Sequence, residues 1–486
     1  MTGRALVVQA DALRLPLPDE CVDLIVTSPP YWSLRRYDAA GIGNEATPLE
    51  WLEALWAATA EMKRVLKPSG SIFVNLGDKY NSAASGQKGT TSVYNGGDPA
   101  KNKWANDPRI QQRGTTTGTV REKSLLGLPG LYAAGCSGML AAIGGPDPGL
   151  NLIWRRDQIT EGTWIWHKLN GLPESVTDRT RSAHEYVFHL TKQPRYYAAL
   201  DTLREPHGEP WRSTGRMENR GSKGVDGGAN NGFGLTGETP REYNPLGKLP
   251  GSVWSIPSDP LRLPAWLGVD HYAAFPPELP RRLIFAFSPP GICVECGEGR
   301  RPVVDKSEAY RAHRAATGMF GNSLRHEGEG RRPPDAPPMG ATILGWACSC
   351  TPFTDHPGTG EVTVGHHDVG RMDGYPNVGA GWGGKQGLGD RPKVGPWREF
   401  HLDGWRPPPT TPAVVADVFG GTGTTAMVAR ALGRIGLSFD LSHAYSLAAQ
   451  YRVFESGEWQ QVIERTTGRK ARPLPKHDPA QERLAL

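Results

Sequence analysis

The chain has 486 residues, a formal charge of +5 and a pI near 8.8, a mildly basic balance that neither requires nor excludes a nucleic-acid partner. Glycine (61) and proline (43) make up about a fifth of it, which is too little for a wholly disordered chain and too much for uninterrupted helix and strand, so a folded core with long Gly/Pro-rich insertions is expected. Six cysteines are too few for a disulfide scaffold, no apolar run approaches a membrane span, and the N-terminus lacks a signal-peptide pattern, which together predict a cytoplasmic protein.

Residues 5–8 (ALVV) and 22–26 (VDLIV) are short apolar runs of strand type. The second runs straight into Thr27-Ser28-Pro29-Pro30-Tyr31-Trp32, where the prolines end the strand and place the following residues in a loop. Two prolines fix the backbone, so neighbouring carbonyl oxygens are held rigidly. Hydroxyl and carbonyl oxygens accept from an exocyclic NH₂, and an aromatic ring stacks on a base. A strand-ending turn with buried aromatics is the competing reading. A helix is predicted over about 48–66. Thr47 and Glu50 form a capping-box pattern, Pro48 takes the first helical position, and Leu52, Leu55, Trp56, Met62 and Leu66 share a face. Lys67-Pro68-Ser69-Gly70 should stop it, with a strand at 71–75 (SIFVN).

This alternation predicts an α/β fold with a parallel sheet and helices on its faces. It breaks at 81–150, resumes near 161–166 and 185–190, and breaks again at 201–250 and 291–411. His184 and Glu185, at the edge of the 185–190 strand, read as structural residues. Residues 81–123 hold seven Lys/Arg against three Asp/Glu, with Tyr94 and Trp104 among them, and 201–250 includes Arg212, Arg216, Arg220 and Lys223. Such groups position phosphates without reading sequence, or they are solvated loops. Cys293-x-x-Cys296 and Cys348-x-Cys350 offer four thiolates suited to tetrahedral Zn²⁺. A full thiolate set leaves no open position, so the metal would be structural; free thiols are the alternative.

The strand rhythm returns at 413–425 (AVVADVFGGTGTT). An apolar strand ends in Asp417, a turn with Gly420, Gly421 and Gly423 follows, and a helix is predicted near 424–432. Ligands of open α/β sheets bind outside the carboxyl ends of the strands, and glycines there allow positive φ and close approach. The next strand, 435–439, ends in Asp440, an acid placed to accept from ribose hydroxyls. The spacing is not that of a dinucleotide fingerprint and no P-loop is present, so the turn alone leaves open a loop with no nucleotide. From about 466 the chain is Pro- and Arg-rich and should fray.

TSPPYW followed far downstream by DVFGGTGTT resembles the amino-methylating DNA methyltransferases, which carry [DNS]-P-P-[YFW] and D-x-F-x-G-x-G. The order resembles their circularly permuted β class. NLGDKY (75–80), residues 164–197, VWSIP (253–257) and HYAAFPPELPRRLI (271–284) are also similar to that family. The resemblance implies a Rossmann-like S-adenosylmethionine-dependent methyltransferase fold, circularly permuted, with inserted loops and a small zinc-binding insertion. It divides the chain into core (1–80, 151–200, 251–290, 412–465), insertions (81–150; 201–250 as target-recognition region; 291–411 with the cysteines) and a tail (466–486).

The resemblance further implies methyl transfer to the exocyclic amino group of a flipped base in double-stranded DNA. Cytosine N4 is favoured because Ser stands at position 28, with adenine N6 the alternative. An RNA or protein-amide methyltransferase, or an inactive DNA-binding protein, are more distant readings. Ser28 and the Pro29 carbonyl would accept from the base amine, Pro30 would fix the loop, and Tyr31 would stack on the base with Trp32 in support. Asp417, Phe419, Gly421, Gly423 and Thr424 would line S-adenosylmethionine. Asp440 would bind its ribose, Asp11 could reach its adenine, and Phe275 and Pro276 could pack beside it. For Asp11 a turn acid, and for the 275–279 segment a helix start, are the competing readings. Neither Cys21 nor Cys136 follows a proline, which disfavours the covalent route of the cytosine-C5 enzymes. No membrane partner is expected, a homodimer is compatible with the sequence, and a restriction partner cannot be read from this chain.

Overall fold

The computed structural model describes residues 3–33, 41–81, 120–155, 163–171, 178–205, 246–259, 261, 263–269, 275–306, 341–350 and 407–467. Tyr94, Trp104, Arg212, Arg216, Arg220, Lys223 and the tail from 468 lie outside the described residues. In chain order the elements are β1 (Arg4–Gln9), β2 (Val22–Thr27), α1 (Pro48–Val65), β3 (Leu66–Leu76), α2 (Leu128–Cys136), α3 (Met139–Ala142), β4 (Ile153–Trp154), β5 (Thr163–His167), β6 (His184–Thr191), β7 (Val253–Ser255), α4 (Glu278–Phe287), β8 (Ile292–Cys293), β9 (Arg301–Lys306), β10 (Ala341–Ala347), β11 (Thr410–Thr411), β12 (Val414–Asp417), α5 (Thr424–Ala431), β13 (Ile435–Asp440), α6 (His443–Gln450) and α7 (Glu458–Thr467).

Nine strands form one mixed sheet in the order β1-β13-β12-β2-β3-β6-β5-β7, with β4 also on β6. From β1 to β3 all neighbours are parallel, so five strands point their carboxyl ends to one edge. β6 turns antiparallel to β3, and β5 antiparallel to β6. Side chains alternate faces along each strand, and both faces are covered. Ile25, Ile72, Val74 and Ala416 pack with Trp51, Leu55, Trp56 and Met62 of α1. Leu24, Val26, Phe73 and Val415 pack on the other side with Leu283 of α4, Met427 of α5 and Trp459 of α7. Burial on both faces is why β2, all six of whose residues are buried, is apolar apart from Asp23 and Thr27; Asp23 pairs with Lys67 and accepts from the Val414 N–H.

α1 starts as the sequence predicts. The Thr47 hydroxyl accepts from the Glu50 N–H, and the Glu50 carboxylate accepts from the Thr47 N–H, satisfying two donors that helix geometry leaves over. Its end differs from expectation. Lys67-Pro68-Ser69-Gly70 does not separate helix from strand but lies inside β3 as a bulge, where the register jumps from Val22↔Leu66 to Leu24↔Ser71. Gly70 permits this, since a Cβ there would come within 2.9 Å of the Asp23 carbonyl. The alternation also persists inside 81–150. α2 buries Leu128, Tyr132, Ala133 and Cys136 in the α1-side core, and Trp56 Nε1 donates to the Tyr132 carbonyl at 3.0 Å. Among the described residues no helix is long and apolar enough to cross a membrane.

Candidate active site

The loop after β2 is held from several sides. Trp51 Nε1 of α1 donates to the Pro30 carbonyl at 3.0 Å, and Trp32 Nε1 donates to the Glu45 carbonyl at 3.0 Å. Pro29 and Trp32 are buried, whereas Ser28, Pro30 and Tyr31 are half-buried. The Ser28 hydroxyl donates to the Asn75 main-chain oxygen at 3.3 Å and accepts from Asn75 Nδ2 at 3.4 Å. The Tyr31 ring lies on Gly77, where a Cβ would come within 2.9 Å of its Cε2. Its hydroxyl donates to Glu185 Oε2 at 2.9 Å and accepts from Asn75 Nδ2 at 3.0 Å. The other Glu185 oxygen pairs with Lys168.

Asn75 is only 4% exposed, and its Nδ2 also donates to Glu185 Oε2 at 2.6 Å. The facing carboxylate dictates that the NH₂, not the oxygen, points that way. Asn75 Oδ1 is left buried with no partner, a penalty of about 1–3 kcal/mol. Neither Asn75 nor Glu185 stood out in the sequence as a site residue. The available signal was a polar residue closing an otherwise apolar strand, as Asn75 does in SIFVN. His184 is exposed and edge-on to Tyr186.

The glycine loop after β12 lies beside this first loop. Thr27 Oγ1, at the end of β2, donates to Asp417 Oδ1 at 2.6 Å across 390 residues of chain. Thr27 Oγ1 and Asp417 Oδ1 both take the Phe419 N–H, at 3.2 Å. Thr425 Oγ1 of α5 stands 2.9 Å from Asp417 Oδ2 and 3.1 Å from the Val26 carbonyl. The Asp417 carboxylate is thus turned inward, away from the loop's outer surface. Burial first, then the nearby Asp440 charge, push its pKa up to about 6 against the pull of Thr27, Thr425 and the Phe419 N–H.

Glycine is required in this turn. Gly421 and Gly423 have φ of 50° and 77°, where side chains are strained, and a Cβ at Gly420 would come within 2.1 Å of Ser438 Oγ. Phe419 is half-buried against the α1-side core. A second clamp was not foreseen. Arg452, from a π-helical turn at Tyr451–Glu455, donates to Thr422 Oγ1 and Thr424 Oγ1 at 2.8 Å and is paired with Glu458 at 2.7 Å. Asp440 closes β13 with Oδ2 accepting from Gly421 N at 2.9 Å and Oδ1 from Ser442 N at 2.8 Å; burial raises its pKa.

β1 ends beside Asp440, with Gln9 in register with it. Asp11 follows, exposed, and accepts from the Leu13 N–H at 2.9 Å in a local turn. Phe275 and Pro276 are buried, Phe275 in the α4-side core. The predicted base-side and cofactor-side loops thus sit on one sheet edge. A recess of about 530 Å³ lined by Asp19, Glu20, Lys63, Arg64 and Lys192 opens at the opposite, amino-terminal edge of β2, away from both loops.

The four cysteines form a separate cluster. Cys293, Cys296, Cys348 and Cys350 place their sulfurs within 4.8 Å of one another. The first pair is shaped by a turn with Gly297 at φ 71°, and the second follows β10, which pairs antiparallel with β9. The guanidinium of buried Arg300 donates to the Cys348 sulfur and to the Pro408 carbonyl. Burial first, then the neighbouring Cys296 and Cys293 sulfurs, raise the Cys348 pKa against the pull of the Arg300 cation.

Comparison with known proteins places the chain in a family of DNA methylases. The family described as DNA methylase matches residues 22–294. That span includes the Ser28 loop, Asn75 and Glu185 but not the glycine loop. The chain is 32% identical over 286 residues to the type II methyltransferase M.XycI of Xanthomonas campestris pv. cyanopsidis, covering 58% of this chain and 72% of that one. It is 30% identical over 297 residues to M.Cfr9I of Citrobacter freundii, covering 59% and 74%. Among solved structures, the PvuII cytosine-N4-specific DNA methyltransferase aligns with a TM-score of 0.43 at 13% identity, covering 96% of this chain and 93% of that one.

Proposed function

The chain belongs to the DNA methylase family of N6/N4 amino-methyltransferases, and we propose that it moves a methyl group from S-adenosylmethionine to the N4 of a flipped cytosine in double-stranded DNA. The observation that carries this reading is the 2.6 Å hydrogen bond from Thr27 to Asp417. It fixes the Ser28 loop against the glycine loop at neighbouring strand ends, where an amine held by one would face a ligand held by the other.

On the base side, the Ser28 proton is committed to the Asn75 main-chain oxygen, so Ser28 meets the base amine as an acceptor. The Pro29 carbonyl is the second acceptor, Pro30 fixes its direction, and Tyr31 stacks on the ring. An exocyclic amine is a weak nucleophile because its lone pair is delocalised into the ring. Hydrogen bonds accepted from its protons return density to nitrogen and turn the lone pair toward the methyl donor; as the N–C bond formed, the C–S bond would break to leave a neutral thioether and the methylated amine would release its extra proton to solvent, so catalysis is orientation and electrostatics. No covalent enzyme intermediate is needed.

The residues at the glycine loop fit an S-adenosyl ligand. The turn has positive φ at Gly421 and Gly423, and Asp440 is immobilised by two N–H groups at the end of the adjacent strand. In this reading Phe419, Gly421, Gly423 and Thr424 would line the ligand, Asp440 would take ribose hydroxyls, and Asp11 and the Phe275-Pro276 segment would flank it. Asp417 supports the loop from inside. When bound, S-adenosylmethionine supplies an electrophilic methyl on a sulfonium.

The base-side loop in the first half of the chain and the glycine loop in the last support a circularly permuted core over 1–80, 151–200, 251–290 and 412–465. Insertions at 81–150, 201–250 and 291–411 and a tail at 466–486 complete the division, with 120–150 joining the core through α2. Cys293, Cys296, Cys348 and Cys350 would hold one structural Zn²⁺. Elemental analysis of natively purified protein should find one zinc per chain, and none would sink the site.

The test of activity is incubation with labelled S-adenosylmethionine and unmethylated DNA, followed by digestion to nucleosides. N4-methylcytosine is expected, N6-methyladenine would move the target to adenine, and unlabelled DNA would overturn the reading.

A further inference from the structure

Three groups from different parts of the chain converge on the Glu185 carboxylate. The base-side loop contributes the Tyr31 hydroxyl, β3 contributes Asn75 Nδ2, and the residue after β5 contributes the Lys168 ammonium. The carboxylate sits at the start of β6 with a side chain only 15% exposed. We propose that Glu185 is a positioning residue for methyl transfer: it orients the Tyr31 ring and the Asn75 amide, and through Asn75 it holds Ser28 as a hydrogen-bond acceptor toward the base amine. The inference rests on the amine-methylation reading above.

An ionised carboxylate only accepts, so it fixes the direction of each group around it. Tyr31 must donate its hydroxyl hydrogen to Glu185, which pins a ring already seated on Gly77. Asn75 must present its NH₂, because the flipped amide would put Oδ1 2.6 Å from the carboxylate oxygen. One of the two amide hydrogens goes to Glu185 and the other is shared between Tyr31 Oη at 3.0 Å and Ser28 Oγ at 3.4 Å; Ser28 gives its own proton to the Asn75 main-chain oxygen and keeps a lone pair. Lys168, stacked over Trp166 at 4.7 Å, supplies the balancing charge. A purely structural contact would be built more stably from apolar side chains. Here an acceptor, Asn75 Oδ1, is left buried without a partner to keep the orientation. Departures from local rules of this kind are expected at functional sites, and this one lies directly behind the proposed base-side loop.

The test is single-turnover methyl transfer to duplex DNA, with cofactor affinity measured beside it. Glu185→Ala should slow transfer about 100-fold and Tyr31→Phe about tenfold, with cofactor affinity within about twofold of wild type. Because both act through one network, the double variant should be no more than about twofold slower than Glu185→Ala alone. Glu185→Gln combined with Lys168→Met keeps an acceptor oxygen and removes the stranded ammonium, and should recover to within about fivefold of wild type. Glu185→Ala within twofold of wild type, or single effects that multiply in the double variant, overturns the inference. A Gln/Met pair as slow as Glu185→Ala overturns it even if the alanine variant misfolds. Failure of the wild type to label DNA would instead sink the methyltransferase reading, so the two failures are distinguishable.

Discussion

Asp417→Asn should stabilise the protein above pH 6. The carboxyl has an ordinary value of 3.8 and is raised to about 6 by burial, so keeping it charged costs about 3 kcal/mol at pH 8. With the folded-state value above the unfolded one, the stabilisation from protonation is complete below about pH 3.8 and is lost as pH rises through about 6. The geometry favours the uncharged form for a second reason. The single Thr425 proton lies between two acceptors, Asp417 Oδ2 and the Val26 carbonyl. In the variant, the introduced amide oxygen still takes Thr27 and the Phe419 N–H, while the amide NH₂ donates to Thr425 and Thr425 donates to Val26. Urea denaturation should show the variant more stable by about 1–3 kcal/mol at pH 8, the gap narrowing to about 1 kcal/mol or less near pH 4.5. Titrating groups other than Asp440, whose charge is coupled to that of Asp417, are common to both proteins and cancel in the difference. A variant less stable than wild type at pH 8, or a gap that does not change with pH, would refute the reasoning.

Tyr31→Ala should abolish transfer while calorimetric affinity for S-adenosylmethionine stays near wild type; lost cofactor binding would mean the base-side and cofactor-side residues have been wrongly divided. Arg452→Met removes the clamp on Thr422 and Thr424 and should weaken cofactor binding about tenfold, close to 1.4 kcal/mol, whereas unchanged affinity would show the loop supports itself. His189 is fully buried against Phe73 and bonded to Ser71, and burial pulls its pKa from 6.5 down to about 3. The folded state therefore keeps it neutral while the unfolded chain protonates, and its contribution falls as pH drops through 6.5, by about 2 kcal/mol at pH 5. A His189→Gln variant with an undiminished acid slope between pH 7 and 5 would contradict this.

The local devices were legible in the sequence because their physics is local. Pro29 and Pro30 end a strand wherever they stand, Gly421 and Gly423 declare a turn, and the Thr47–Glu50 pair declares a helix start. What joins them was not legible. The Thr27–Asp417 bond links residues whose separation of 390 carries no periodic signal, and Arg452 reaches the glycine loop from a helical turn of irregular pitch. α2 was hidden for a different reason. Gly127, Gly130, Gly135 and Gly138 break up its sequence, yet at Gly135 the missing side chain makes room for Trp56, whose ring a Cβ would approach to 2.3 Å. Glu185 reads as structural because a strand-edge acid is ordinarily solvated, and only the fold brings Tyr31, Asn75 and Lys168 to it.

The pairing of β8 with β11 also bears on how the chain can change. Thr410 lies opposite Cys293 and Thr411 opposite Ile292, and Val294 N donates to the Pro409 carbonyl at 3.1 Å. The segment between them leaves and rejoins at these two rungs, one of which holds Cys293, and it also touches the core where the Tyr197 hydroxyl donates to the Arg300 carbonyl and Trp346 packs on Tyr197 and Ala199. Lengthening a closed excursion of this kind costs little, about 0.6 kcal/mol for each doubling. A change in the length of chain between Cys293 and Thr410 therefore carries only a small entropic cost at these two rungs, and neither rung belongs to the five parallel strands that carry the two loops.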